Sequence, residues 1–109
     1  MNAQLEKYNV VSFSGGRTSA YMIHRIQTMV SQGLIKNVKY VYMDTGAEHP
    51  KTYDFIRQVV KHFGIDLVCL RSVMTTEVGV GAKFKEISID DICDDYGPWK
   101  DMMKCYSTP

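Results

Sequence analysis

The chain has 109 residues, 45% hydrophobic and 23% charged, with a net charge of +1. That describes one small globular domain of ordinary composition. The balanced charge excludes a whole-surface footprint for nucleic acid or for an anionic membrane, so any bound anion must be held by a local device. Cys69, Cys93 and Cys105 are odd in number and have no CxxC spacing. This argues against a disulfide framework and against a zinc or iron–sulfur site built by this chain alone; free thiols in a reducing cytoplasm are expected. The start, MNAQLEKYN, has no apolar core of a secretory signal, and no apolar run is long enough to span a bilayer. A cytoplasmic location follows as an expectation.

In chain order, Tyr8 to Phe13 is a short apolar, β-branched run that stops sharply at SGGRTS, which predicts a buried strand. A helix follows, with Met22, Ile26, Met29 and Val30 on one face and Gly33 placed to end it. Val38 to Met43 is a second strand, closing at Asp44-Thr45-Gly46. Pro50 suits the first turn of a second helix, in which Ile56, Val59, Val60 and Phe63 share a face before Gly64 stops it. Asp66 to Leu70 is a third strand. Strands separated by helices of this length predict βαβ units, a parallel sheet and right-handed crossovers. Beyond Arg71 the pattern weakens. Thr75 to Gly81 reads as a loop, and Ser88 with Asp91 resembles a capping box for a short helix near 89–95. Gly97-Pro98 breaks that helix, and one or two further turns cover Trp99 to Tyr106. The whole of 1–109 reads as a single domain.

The most informative stretch is Ser12-Phe13-Ser14-Gly15-Gly16-Arg17-Thr18-Ser19, between a predicted strand and a predicted helix. The first N–H groups of a helix have no internal partners, and the helix dipole places partial positive charge there. Two glycines let the backbone approach an anion closely, and the hydroxyls of Ser14, Thr18 and Ser19 add donors. These features make a phosphate cradle. The alternative is a tight strand-to-helix turn with no ligand. Neither the Walker A spacing nor the GxGxxG fingerprint is present, and Gly79-Val80-Gly81 is a lone GxG in a loop.

SGGRTS resembles the PP-loop signature SGGxDS/SGGxTS of the adenine nucleotide alpha-hydrolase superfamily, which includes ATP pyrophosphatases, sulfurylase subunits and phosphoadenylyl-sulfate (PAPS) reductases. Asp44-Thr45-Gly46-Ala47-Glu48-His49-Pro50-Lys51-Thr52 resembles the DTGxxxPET segment of PAPS reductase-like proteins. From about Tyr8 onward the chain is similar to such proteins of phage and bacterial type. The resemblance implies a HUP-type, Rossmann-like α/β fold: a three-layer sandwich around a short, mainly parallel sheet. It implies an adenine nucleotide ligand (ATP, adenylyl sulfate or PAPS), with phosphates or sulfate at Ser14, Gly15, Gly16, Thr18 and Ser19. Asp44, Thr45 and Gly46 would line the pocket, and the backbone at Ser12 and Phe13 would meet the adenosine part. Arg17 stands where many relatives have Lys or a neutral residue, and can reach a phosphate bidentately. Lys51 replaces the Glu of PET. The sequence stops at Pro109, short of the C-terminal cysteine and basic segment of the reductases. The chain is therefore expected to be the N-terminal part of a longer family fold. Its catalytic residues stay unassigned, turnover stays open, and no iron–sulfur cluster is expected.

The remaining candidates are weaker. His49, beside Pro50 at the mouth of the implied pocket, is either a ligand contact or a loop and cap residue. His24 and His62 read as solvent-facing helix residues rather than metal ligands. Asp90, Asp91, Asp94 and Asp95 suit a helix start, with a magnesium site as the sharper alternative. Lys83 and Lys85 read as a solvated basic face, or as groups that fold over a phosphate. Trp99, Met102, Met103 and Tyr106 read as cover for a core edge, with contact to a partner as the alternative. If the first strand lacks neighbours on its outer side, it exposes an unpaired edge. That edge predicts a homo-oligomer or a partner chain. The readings in competition are a nucleotide-handling enzyme, a non-catalytic nucleotide binder or subunit, and an inactive fragment of the enzyme.

Overall fold

Two parallel strands set the frame. β1 (Asn9–Phe13) lies beside β2 (Val38–Asp44), with Val11 opposite Tyr40 and Phe13 opposite Tyr42. β2 pairs parallel with β3 (Leu67–Met74), with Tyr42 opposite Cys69 and Asp44 opposite Arg71. β4 (Ala82–Ile87) then runs antiparallel to β3, with Lys85 opposite Arg71. The sheet order is β1-β2-β3-β4, so β1 is an edge strand among the described residues. The computed structural model describes residues 8–74 and 82–106, without the side chains of 74, 82, 101, 102 and 104–106. The loop read at Thr75 to Gly81 lies outside the described residues.

The helices form where the sequence signals put them. α1 (Arg17–Ser31) begins directly after the two glycines. α2 (Pro50–Phe63) carries Pro50 in its first turn and Gly64 at its C-cap. Both helices cover the sheet face that carries Val11, Phe13, Tyr40, Tyr42 and Cys69, contributing Ala20, Ile23, Tyr53, Ile56 and Val59 to one buried cluster. Full burial of such side chains stabilises by about 1.5–3 kcal/mol each. The buried side of α1 differs from the stripe read in the sequence. Ala20 and Ile23 are buried, whereas Met22 and Val30 are exposed. The apolar band of this helix is wide, and the way the chain enters it from β1 selects which side meets the sheet.

Four further differences lie after Arg71. Residues 82–87 form a strand, although Lys83, Lys85 and Glu86 break any apolar run. Lys83 and Lys85 lie on the face that carries Cys69, and Phe84 and Glu86 on the other; all four are exposed, and an edge strand tolerates such charges where its side chains stay in water. Ser88 does cap a helix, its Oγ accepting the Asp90 N–H at 3.2 Å, but only a 3-10 turn forms, at Ile89–Asp91. Gly97 and Pro98 begin α3 (Gly97–Tyr106) rather than break a helix. Trp99 and Met103 are half-exposed and do not cover the core.

The opposite face of the sheet is less covered. Val10, Ser12, Met43 and Phe84 point to that side and are exposed. α3 packs against β3, and its Trp99 shares a cleft with Met43, Ser72 and Phe84 of this face. The result is an α/β, Rossmann-like arrangement in which, among the described residues, the second helical layer is α3 at one end.

Candidate functional site

Because β1 and β2 are parallel and in register, the loops that follow them leave from the same edge of the sheet. Ligands of open α/β sheets bind outside the carboxyl ends of the strands. Both sequence motifs are brought there. Ser14, Gly15 and Gly16 connect β1 to α1, and Thr45 and Gly46 follow the last residue of β2.

The two loop glycines are there for different reasons. Gly15 has φ +86°, and a Cβ on it would lie 3.0 Å from Thr52 Cγ2 and 3.2 Å from Ile56 Cδ1. Backbone conformation and contact with α2 both demand glycine. Gly16 has φ −97° and ψ 166°, extended backbone open to any residue. A Cβ there would meet only Ser14 Oγ, at 3.7 Å. Gly16 is the N-cap of α1, and among the described residues no side chain caps this helix. Its first N–H groups are therefore left for solvent or a ligand. Across the loop, the Ser14 and Ser19 hydroxyls are hydrogen-bonded at 2.6 Å. Arg17 and Thr18 are exposed beside them, Ser12 is exposed on the open sheet face, and the Phe13 ring is buried in the core. Only the backbone of Phe13 can reach the site.

The Asp44-Thr45-Gly46 turn is tied into the protein. Asp44 is 3% exposed. Its Oδ1 accepts the Gly46 N–H at 2.9 Å and the Tyr53 hydroxyl at 3.1 Å. Its Oδ2 accepts from Arg71 Nη2 at 2.7 Å and Nε at 3.3 Å. Arg71 Nη1 donates in turn to Asp95 Oδ2 at 2.9 Å, and Asp95 Oδ1 accepts the Gly97 N–H at 2.8 Å. Gly46 has φ +72°, and a Cβ there would lie 3.0 Å from Pro98 Cδ. The turn is thus clamped between α2 and the segment leading into α3. Burial pushes the Tyr53 hydroxyl up to about 12, so it stays protonated as donor to Asp44. Thr45 is exposed, its Oγ1 accepting the Ala47 N–H at 3.3 Å. His49 is the N-cap of α2, with Nδ1 accepting the Lys51 N–H at 3.1 Å, which is the cap role.

A cleft of about 350 Å³ opens beside the turn, with Met43, Thr45, Ser72, Phe84 and Trp99 among its walls. Among the described residues no group of three or more His, Cys, Asp or Glu side chains is placed to hold a metal ion, and no helix is long and apolar enough to cross a membrane. Cys69 is buried, and burial pushes its thiol up to about 11; Cys93 is exposed.

The phosphoadenosine phosphosulfate reductase domain profile matches residues 8–105. The chain belongs to that family. The uncharacterized nin region protein ORF290 of Escherichia phage lambda is 44% identical over 104 residues, which covers 93% of this chain and 35% of the phage protein. Two uncharacterized proteins of Methanocaldococcus jannaschii share 32% identity over 60 residues and 34% over 68, covering 55% and 62% of this chain and 13% of each relative. The chain thus spans about a third or less of the curated relatives it matches. No solved structure matches.

Reading the sequence alone missed Tyr53, Arg71, Asp95 and Trp99 as parts of this region. Arg71 stood at the end of a strand and Asp95 within an acidic cluster, and neither position has a local signature. Their roles arise from partners 27 and 24 residues apart.

Proposed function

We propose that this reductase-family domain binds an adenine nucleotide, ATP, adenylyl sulfate or PAPS, with its phosphates or sulfate at Ser14–Ser19. The observation that carries the reading is Gly16. Neither its backbone angles nor its packing requires glycine, yet it stands at an uncapped helix N-terminus. A bare backbone at that point lets an anion reach the N–H groups, where the helix dipole favours negative charge. Ser14 and Ser19 supply hydroxyls, and Arg17 an exposed cation able to pair two phosphate oxygens. Magnesium would accompany a triphosphate as its counter-ion. Calorimetry with the three nucleotides and a Gly16→Val variant tests this. Binding of one ligand, lost in the variant, is expected; no heat from any ligand with the native chain would overturn the reading.

A non-catalytic binder or subunit is the second reading. It is favoured by Cys69, though Cys93 is exposed. The Cys69 thiol is buried and held protonated, which is the opposite of what a nucleophile needs. A turnover assay on the nucleotide that binds separates the two readings. The free thiols and near-neutral charge fit a cytoplasmic protein without nucleic acid partners. Among the described residues β1 is an edge strand, which favours pairing with a second chain, as sedimentation velocity would reveal.

A further inference from the structure

We propose that the cleft between Trp99 and Phe84 is a stacking site for a flat, uncharged heteroaromatic ring, and that its occupant is the purine base of the nucleotide. This rests on the reading of the phosphate loop given above and adds where the other end of the ligand goes.

The walls of the cleft define its chemistry. Trp99, the chain's one tryptophan, is 53% exposed, Phe84 is 57% exposed and Met43 is 39% exposed. Two aromatic rings and a thioether around about 350 Å³ match the low end of small-ligand sites, which are mostly apolar with a few polar groups for orientation. Aromatic faces stack on any base, and thioethers pack well against ring edges. Thr45 and Ser72 bring hydroxyls to the rim, suited to ring nitrogens and exocyclic amines. Among the described residues that line the cleft, the charged one is Asp44, and its carboxylate is already occupied by Gly46, Tyr53 and Arg71. Among the described residues, the cleft therefore offers no free counter-charge for a phosphate or an ammonium group. A neutral ring is what it suits.

Position supports the same occupant. Met43 and Ser72 lie near the carboxyl ends of β2 and β3, the edge from which the Ser14–Ser19 loop also leaves. Adjacent strands are about 4.8 Å apart, so the cleft floor on β2 and β3 is displaced by about one to two strand spacings from β1, and it lies on the sheet face opposite to the one α1 covers, so the ligand must pass over the carboxyl end of the sheet. One extended nucleotide can bridge that gap, its phosphates at α1 and its base at Trp99. Two other cavities lie among helix residues of α1 and α2, with Phe55 and His62 in one and Tyr21 and Arg25 in the other. The Trp99 wall is also braced. Pro98 packs on Gly46, and the Gly97 N–H is held by Asp95, which Arg71 ties to Asp44.

Trp99 makes the test direct. Its emission would be followed while adenosine, ATP and inorganic triphosphate are titrated into the native chain and into Phe84→Ala and Gly16→Val variants, with calorimetry in parallel. Adenosine and ATP should change Trp99 emission and inorganic triphosphate should not. Phe84→Ala should weaken ATP binding about tenfold while leaving inorganic triphosphate unchanged. Phe84 is exposed on an edge strand, so this variant should fold; far-ultraviolet circular dichroism checks that. If ATP binds by calorimetry and is lost in Gly16→Val, but Trp99 emission and the Phe84→Ala affinity do not move, the base lies elsewhere and only the cleft proposal fails. If adenosine moves Trp99 emission while Gly16→Val leaves ATP binding intact, the cleft stands and the phosphate-loop reading fails. Emission that depends on protein concentration and ignores adenosine would mean that a second copy covers the cleft, and would overturn the proposal.

Discussion

Arg71 and Asp44 sit opposite each other on β3 and β2, and the guanidinium holds the buried carboxylate through Nη2 at 2.7 Å and Nε at 3.3 Å. The side chains are 14% and 0% exposed, so this pair is shielded from solvent screening in a way that surface pairs are not. Removing the cation leaves a buried carboxylate without its counter-charge, which costs about 3–5 kcal/mol. Arg71→Met should therefore lower the melting temperature by more than about 10 °C in thermal unfolding. Arg71→Lys should fall in between, because an ammonium cannot serve Asp44 and Asp95 with a planar fork. A melting temperature unchanged in Arg71→Met would remove this pair from the account of stability.

Asp95 gives the clamp a pH dependence. The Gly97 N–H, and then Arg71, hold its carboxyl below the usual carboxylate range. A group whose pKa is lower when folded contributes stability that is present above its unfolded pKa, about 3.9, and lost as pH falls through the folded value. The melting temperature should therefore fall as pH drops below about 4. Asp95→Asn should flatten that acid limb while leaving the profile above pH 5 almost parallel to the native one. Equal acid limbs in the two proteins would contradict the assignment.

The two loop glycines should separate stability from binding. Gly15→Ala forces an L-residue into φ +86° against Thr52, which costs at least roughly 1–2 kcal/mol in chemical denaturation. Gly16→Ala occupies open space in extended backbone and should change stability by no more than about 0.5 kcal/mol. If Gly16→Ala destabilises as much as Gly15→Ala, the case for Gly16 as a ligand contact loses its basis.

The cysteines should differ sharply in reactivity. In a Cys105→Ser background at pH 8, a thiol reagent should label Cys93 quickly. Cys69 should react only after denaturation, because burial both blocks it and raises its pKa to about 11. Fast labelling of both in the folded protein would show that β3 opens readily.

Tyr40 and Tyr42 bury their hydroxyls without a hydrogen-bond partner among the described residues. An unsatisfied buried hydroxyl costs about 1–3 kcal/mol, so Tyr42→Phe should leave the melting temperature unchanged or raise it. A large drop would mean that the hydroxyl has a partner in solution.

Much of this protein was determined by local sequence. The strand at Tyr8 to Phe13, the helix after Gly16, the helix opening at Pro50 and the strand through Cys69 all follow from signals spanning a few residues. So does the SGGRTS loop, whose place between strand and helix could be read directly. What the tertiary structure decided involves partners distant in the chain. The parallel register of β2 and β3 sets Asp44 against Arg71, and so makes Asp44 a clamp within the protein. Residues 82–87 become a strand because β3 has a free edge to pair with, and their own charges give no such signal. Trp99 reads as core cover by composition, yet α3 leaves it half-exposed across a cleft from Phe84. Propensity and capping act over one or two turns and leave a trace in the sequence. Pairing between strands and the choice of which faces stay bare depend on how whole elements pack, and no short stretch of residues records that.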